Sequence, residues 1–154
     1  MKNERLLGQQ SLLESIKDIM LDARKQVASQ VNHTLIAAYW HIGKTILEYE
    51  NILQIDAVSS RQVILKLSKQ LTMELGSGFS RSNLFNMRKF YLEFPDVQTV
   101  SGQLSWSHIC ELLIIEDVLK RGFYEKESIN AMWSVHELKR QIDSRLVYKS
   151  KIIL

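Results

Sequence analysis

Apolar residues recur at helical spacing along most of this chain. Leu12, Ile16, Ile19, Ala23 and Val27 repeat every three or four positions, and Leu13 and Met20 widen the stripe. That spacing predicts an amphipathic helix. Ser11 and Glu14 have the capping-box spacing, in which hydroxyl and carboxylate satisfy each other's free backbone N–H. A second set, Leu35, Tyr39, Ile42 and Ile46, carries the period to about Tyr49. Asn32–His33 lies between the sets, and periodicity leaves open one long kinked helix or a helical hairpin.

Residues 50–60 lose the period and predict a connection. It returns with Ile64, Leu67, Leu71 and Leu75 over residues 61–75. Gly76-Ser77-Gly78-Phe79 then breaks the helix, and Ser80 is a good N-cap for the next one. That helix ends at Phe94, because the residue before Pro95 is pushed out of the α region. Residues 95–104 predict a polar loop with a short extended stretch at Val97–Val100. Further helices are expected from Ser105 or Trp106 to Ile115, from Asp117 to Asn130, and from Ser134 to Tyr148, the last behind a second capping box, Ser134 to Glu137.

The expected architecture is all-α: a six- or seven-helix bundle containing a helix-turn-helix, with little or no sheet. Its parts are an N-terminal helical segment 1–60 packing on the core, the helix-turn-helix 61–95, and C-terminal helices 96–154, forming one domain over about 10–149. Composition agrees. Of 154 residues, 45% are apolar, one is proline and six are glycine, too few turn formers for a sandwich or barrel. No apolar run reaches the roughly 18 residues of a membrane span, and the start lacks a signal-peptide core, so a cytoplasmic, membrane-free protein is expected. The single cysteine excludes a disulfide framework within the chain.

Charge changes the picture. The net charge is only +3, but residues 61–94 hold Arg61, Lys66, Lys69, Arg81, Arg88 and Lys89 against Glu74 and Glu93. A local cationic excess is the footprint of phosphate binding, and also of an ordinary solvated helix face. In a helix-turn-helix the second helix enters a groove while the first braces it. Leu84, Met87, Tyr91 and Phe94 share one face of that second helix, which is assigned to the core; Ser82, Asn86 and Lys89 lie opposite, and Arg81 and Arg88 share a flank with Phe85 and Leu92. The candidate nucleic-acid contacts are Lys66, Lys69, Arg81, Ser82, Asn83, Asn86, Arg88 and Lys89, residue types that meet phosphates and base edges.

Four ordered blocks resemble a known family: Tyr39-Trp40-His41-Ile42-Gly43; Leu67 to Leu71 with Gly78 to Tyr91; Gln103 to His108; and Phe123-Tyr124 with Trp133 to Ile142. Together they are similar to the N-terminal domain of YhcG-like PDDEXK-type nucleases, a former domain of unknown function. The resemblance implies a winged-helix-like DNA-binding module, with DNA as partner and a nuclease domain or subunit attached. This chain ends about where that nuclease would begin, as a stand-alone version or as a fragment. It departs from the family pattern at Ala57-Val58-Ser59-Ser60, at His136 in place of an arginine, and at Ile114 in place of a basic residue.

No catalytic residue, cofactor or metal is assigned. Glu137-Leu138-Lys139 with Asp117 is the only local match to the nuclease's acidic residues and lysine, and it falls in a helix where Glu137 has a capping task. His33, His41, His108, His136 and Cys110 lack zinc-ligand spacing and are read as structural. Trp40, Trp106 and Trp133 are read as packing anchors, and Gly43, inside a helix, as a close approach of another helix. The alternative function is a protein-interaction or homo-oligomerisation module, built on the N-terminal amphipathic helices and the Phe85/Leu92 flank.

Overall fold

The computed structural model describes residues 1–152. The described residues form seven helices: α1 (Lys2–Leu53), α2 (Ala57–Leu75), α3 (Arg81–Glu93), α4 (Trp106–Leu113), α5 (Val118–Asn130), α6 (Val135–Ser144) and α7 (Leu146–Ile152). A 3-10 turn, Val97–Thr99, joins α3 to α4. The described residues hold no strand, so the chain is all-α and nothing in them corresponds to a wing. The last two positions of the 96–154 segment lie outside the described residues.

α1 is one helix of 52 residues, about 78 Å long at 1.5 Å per residue. Helix formers in residues 2–10 carry it upstream of Ser11, which therefore caps nothing; its carbonyl accepts the Ser15 hydroxyl at 3.0 Å. Asn32 does not break the helix, because its amide donates to the Gly102 carbonyl at 3.3 Å. The connection expected over 50–60 shrinks to a few residues. Gln54 ends α1 in a left-handed conformation, and the Asp56 carboxylate accepts the Ser59 N–H at 2.7 Å to start α2.

Val97–Val100 is the 3-10 turn rather than an extended stretch; Asp96 caps it and Val100 is buried. The helix expected over 134–148 is two helices, divided at Arg145 with φ 57°. Its capping box is half formed: Ser134 accepts the Glu137 N–H, but the Glu137 carboxylate turns to Arg140. The complete box is at Ser105, where His108 Nδ1 accepts the Ser105 N–H at 3.1 Å and His108 Nε2 donates to the Trp133 carbonyl at 2.8 Å. These bonds give the imidazole a structural task.

Two clusters form the core. Ile36, Phe90, Phe94, Leu104, Ile109, Leu112, Tyr124 and Leu138 make the larger, and Ile46, Ile64, Leu84 and Met87 the smaller, with Trp106 packed on both. α3 runs through the middle, and its Leu84, Met87 and Phe90 are completely buried. The backbones of α1 and α3 approach closely at Gly43, where an added Cβ would sit 2.0 Å from the Met87 carbonyl oxygen. The glycine is therefore kept for the close approach that its place in the helix suggested.

Candidate nucleic-acid interface

The corner between α2 and α3 is built by local chemistry. Gly76 (φ 88°) and Gly78 (φ 105°) take backbone conformations that favour glycine, and so reverse the chain in few residues. The Ser68 hydroxyl donates to the Phe79 carbonyl at 2.7 Å, tying the turn to α2. Ser80 accepts the Asn83 N–H at 3.1 Å, and the Asn83 amide donates back to the Gly78 carbonyl at 3.0 Å. The start of α3 is held from both sides.

The expected contacts separate into an outer and an inner set. Arg81 and Ser82 are exposed in the first turn of α3, and Lys89 is half-buried two turns on. Lys66 and Lys69 are exposed on α2, but Lys66 lines a hollow shared with Thr45 and Tyr49 of α1, away from Arg81. Asn83 accepts the Trp106 indole N–H at 3.4 Å, and the Asn86 side chain lies beside the Cys110 thiol of α4. Both amides thus face the core side. Burial first of all, offset by Asn86 and reinforced by the charge of Glu111, pushes the Cys110 thiol up to about 11, so it stays protonated at neutral pH.

Arg88 is committed elsewhere. Its guanidinium donates to both oxygens of the buried Glu50 carboxylate, Nη2 at 2.7 Å and Nε at 2.9 and 3.1 Å, and the Ser60 hydroxyl donates to the same carboxylate. Burial alone would raise the Glu50 pKa; the Arg88 hydrogen bonds, the Ser60 hydroxyl and the Arg88 charge outweigh it and hold the carboxyl below its ordinary value. This bidentate pair clamps α1, α2 and α3 together. Phe85 packs on the smaller cluster, while Leu92 on the same flank stays exposed.

One residue outside the expected set converges with Arg81. Arg61 of α2 and Arg81 of α3 line a hollow of about 480 Å³ whose other walls are Leu65 and Phe85. Among the described residues neither arginine takes part in an ion pair, and the same holds for Lys66, Lys69 and Lys89. The sequence contains a faint signal for this pairing. Each arginine precedes its apolar partner by four positions, so each helix presents a cation one turn ahead of an apolar side chain.

The tryptophans pack as anchors: Trp40 donates to the Phe94 carbonyl at 2.7 Å, Trp106 lies against Tyr39 and Phe90, and Trp133 packs on the larger cluster. Glu137 is engaged by Arg140 at 2.6 Å and by Gln141, hydrogen bonds that hold its carboxyl down at about 2. No group of three or more metal-ligating side chains occurs among the described residues, and no helix among them is long and apolar enough to cross a membrane.

Residues 15–149 match the family model described as the DUF1016 N-terminal domain. The chain is 33% identical over 167 aligned positions to the Escherichia coli K12 protein named "Putative nuclease YhcG", an alignment that covers 88% of this chain and 44% of that protein. The chain thus spans less than half the length of this relative. No solved structure matches. By the extent of the model match and by this identity, the chain belongs to the DUF1016 N-terminal domain family.

Proposed function

We propose that this domain binds DNA through the α2–α3 corner, as the targeting part of a nuclease system. The observation that carries the proposal is the convergence of Arg61 and Arg81 on one open hollow with no carboxylate paired to either. Unpaired guanidiniums at a surface attract a polyanion and release its counterions on binding. The first turn of α3 adds free backbone N–H groups and a partial positive charge beside them. Arg61, Lys69 and Arg81 are assigned to phosphates, and Ser82 and Lys89 to the groove. Lys66 stands apart from this group, and Asn83, Asn86 and Arg88 hold α3 in place. The nuclease link rests on the name of the relative, whose length leaves room for a further domain.

The test is anisotropy of a labelled duplex over a salt series. The parent should bind more weakly as salt rises, with a slope of about −0.9 in log K per phosphate contact. Arg61→Ala with Arg81→Ala should flatten that slope by about 2 and weaken binding at least tenfold. Equal affinity and equal slope in the double variant would remove this surface from consideration.

A further inference from the structure

The first half of α1 carries an apolar face that the other described residues leave bare. Every residue from Met1 to Ala28 is exposed. Leu12, Ile16, Ile19, Met20 and Val27 lie on one side, with Leu13 and Leu6 along its margin; Ile19 is 66% exposed and Val27 63%. The body first meets the helix at Lys25 and Ser29 and continues along Ile36, Gly43 and Leu47. At 3.6 residues per turn that side lies roughly 160° from the stripe. No movement along the helix brings the stripe to the body, so nothing among the described residues covers it.

We propose that the partner is a second copy of this chain, paired along residues 6–31 with the two helices parallel. Stripe residues that are half exposed or more offer on the order of 600 Å² of apolar surface per chain, or about 1,200 Å² in a pair, which reaches the range of specific interfaces. Most helical stability in proteins comes from packing an amphipathic face, and pairing supplies the packing that this stretch lacks. Charge is also suited to self-pairing. Residues 2–31 hold Lys2, Arg5, Lys17, Arg24 and Lys25 against Glu4, Glu14, Asp18 and Asp22, so two copies meet without strong repulsion. The near balance disfavours an anionic lipid surface, which selects a face rich in lysine and arginine.

The edges of the stripe set the direction. Lys17 and Arg24 follow one edge, and Ser15 and Asp22 lie toward the other. In a parallel pair the cationic edge of each copy faces the acidic edge of its partner; in an antiparallel pair the two cationic edges face each other, and like charges meet. Gln9 falls within the stripe, where two copies in register can join their amides.

Sedimentation of the whole chain at micromolar concentrations tests this without reference to DNA. The parent should run at twice the mass of one chain, and Ile16→Lys with Met20→Lys should run at the mass of one. Lysine keeps helix propensity and the stripe does not touch the body, so near-ultraviolet dichroism of Trp40, Trp106 and Trp133 should not change. Gln9→Cys should link the two copies through a disulfide under mild oxidation, because the protonated Cys110 thiol competes poorly. A parent at the mass of one chain, or a double variant that still runs as the parent does, overturns the proposal. A pair in which Gln9→Cys stays unlinked overturns the parallel arrangement.

Discussion

The two halves of α1 have the same helical geometry and opposite surroundings. From Ile36 to Glu50 the helix is pressed into the body, its buried side passing Met87 so closely that glycine is needed at 43. From Lys2 to Arg24 it touches nothing it could bury, although its apolar residues recur with the same helical period. The difference teaches that periodicity reports an apolar face but not the molecule that covers it. The buried half is held by tight backbone approach and a clamped carboxylate, and substitutions in the two halves should separate accordingly.

The largest effect is expected at Gly43. Gly43→Ala puts a methyl against the Met87 carbonyl and should cost about 2–3 kcal/mol in urea unfolding. An unchanged midpoint would mean that α1 and α3 do not lie this close. Glu50→Ala comes next, at about 2 kcal/mol, because it leaves Arg88 and Ser60 without their acceptor. The effect is moderated by the partial exposure of Arg88, 32% for its side chain.

The same pair sets an acid response. The Glu50 carboxyl titrates below its ordinary 4.5 in the folded chain, so its contribution is complete above that pH and fades as pH falls through the lower folded value. Unfolding midpoints should thus be flat from pH 7 to 5 and fall below about 4.5, and Glu50→Gln should remove part of that fall. The smallest effect is expected at Gly8. Nothing lies within 4 Å of a Cβ added there, so Gly8→Ala should raise helix content slightly, by up to about 1 kcal/mol of local propensity, and leave the unfolding of the body unchanged.

Helix type, the Ser80 cap and the glycine turn are legible in the sequence because their causes lie within a few residues. The upstream start of α1 is less so: Ser11 and Glu14 have capping spacing, yet nothing near them ends a helix, and a cap acts only where one begins. Arg88 illustrates a different obstacle. On α3 it shares a flank with Arg81, but Glu50, 38 positions away, claims it. Only the packing of α1 against α3 brings that carboxylate near. Arg61 is missed for the same reason, since its relation to Arg81 exists only once α2 and α3 fold onto each other.

The division of α3 between an outward cation and a clamped one is the centre of this account, and two single substitutions test it side by side. Arg81→Ala should weaken duplex binding about tenfold with an unchanged melting temperature, whereas Arg88→Ala should lower the melting temperature and, measured well below it, leave binding nearly intact. If Arg88→Ala abolished binding in a folded protein while Arg81→Ala did nothing, the surface assigned here would be the wrong one.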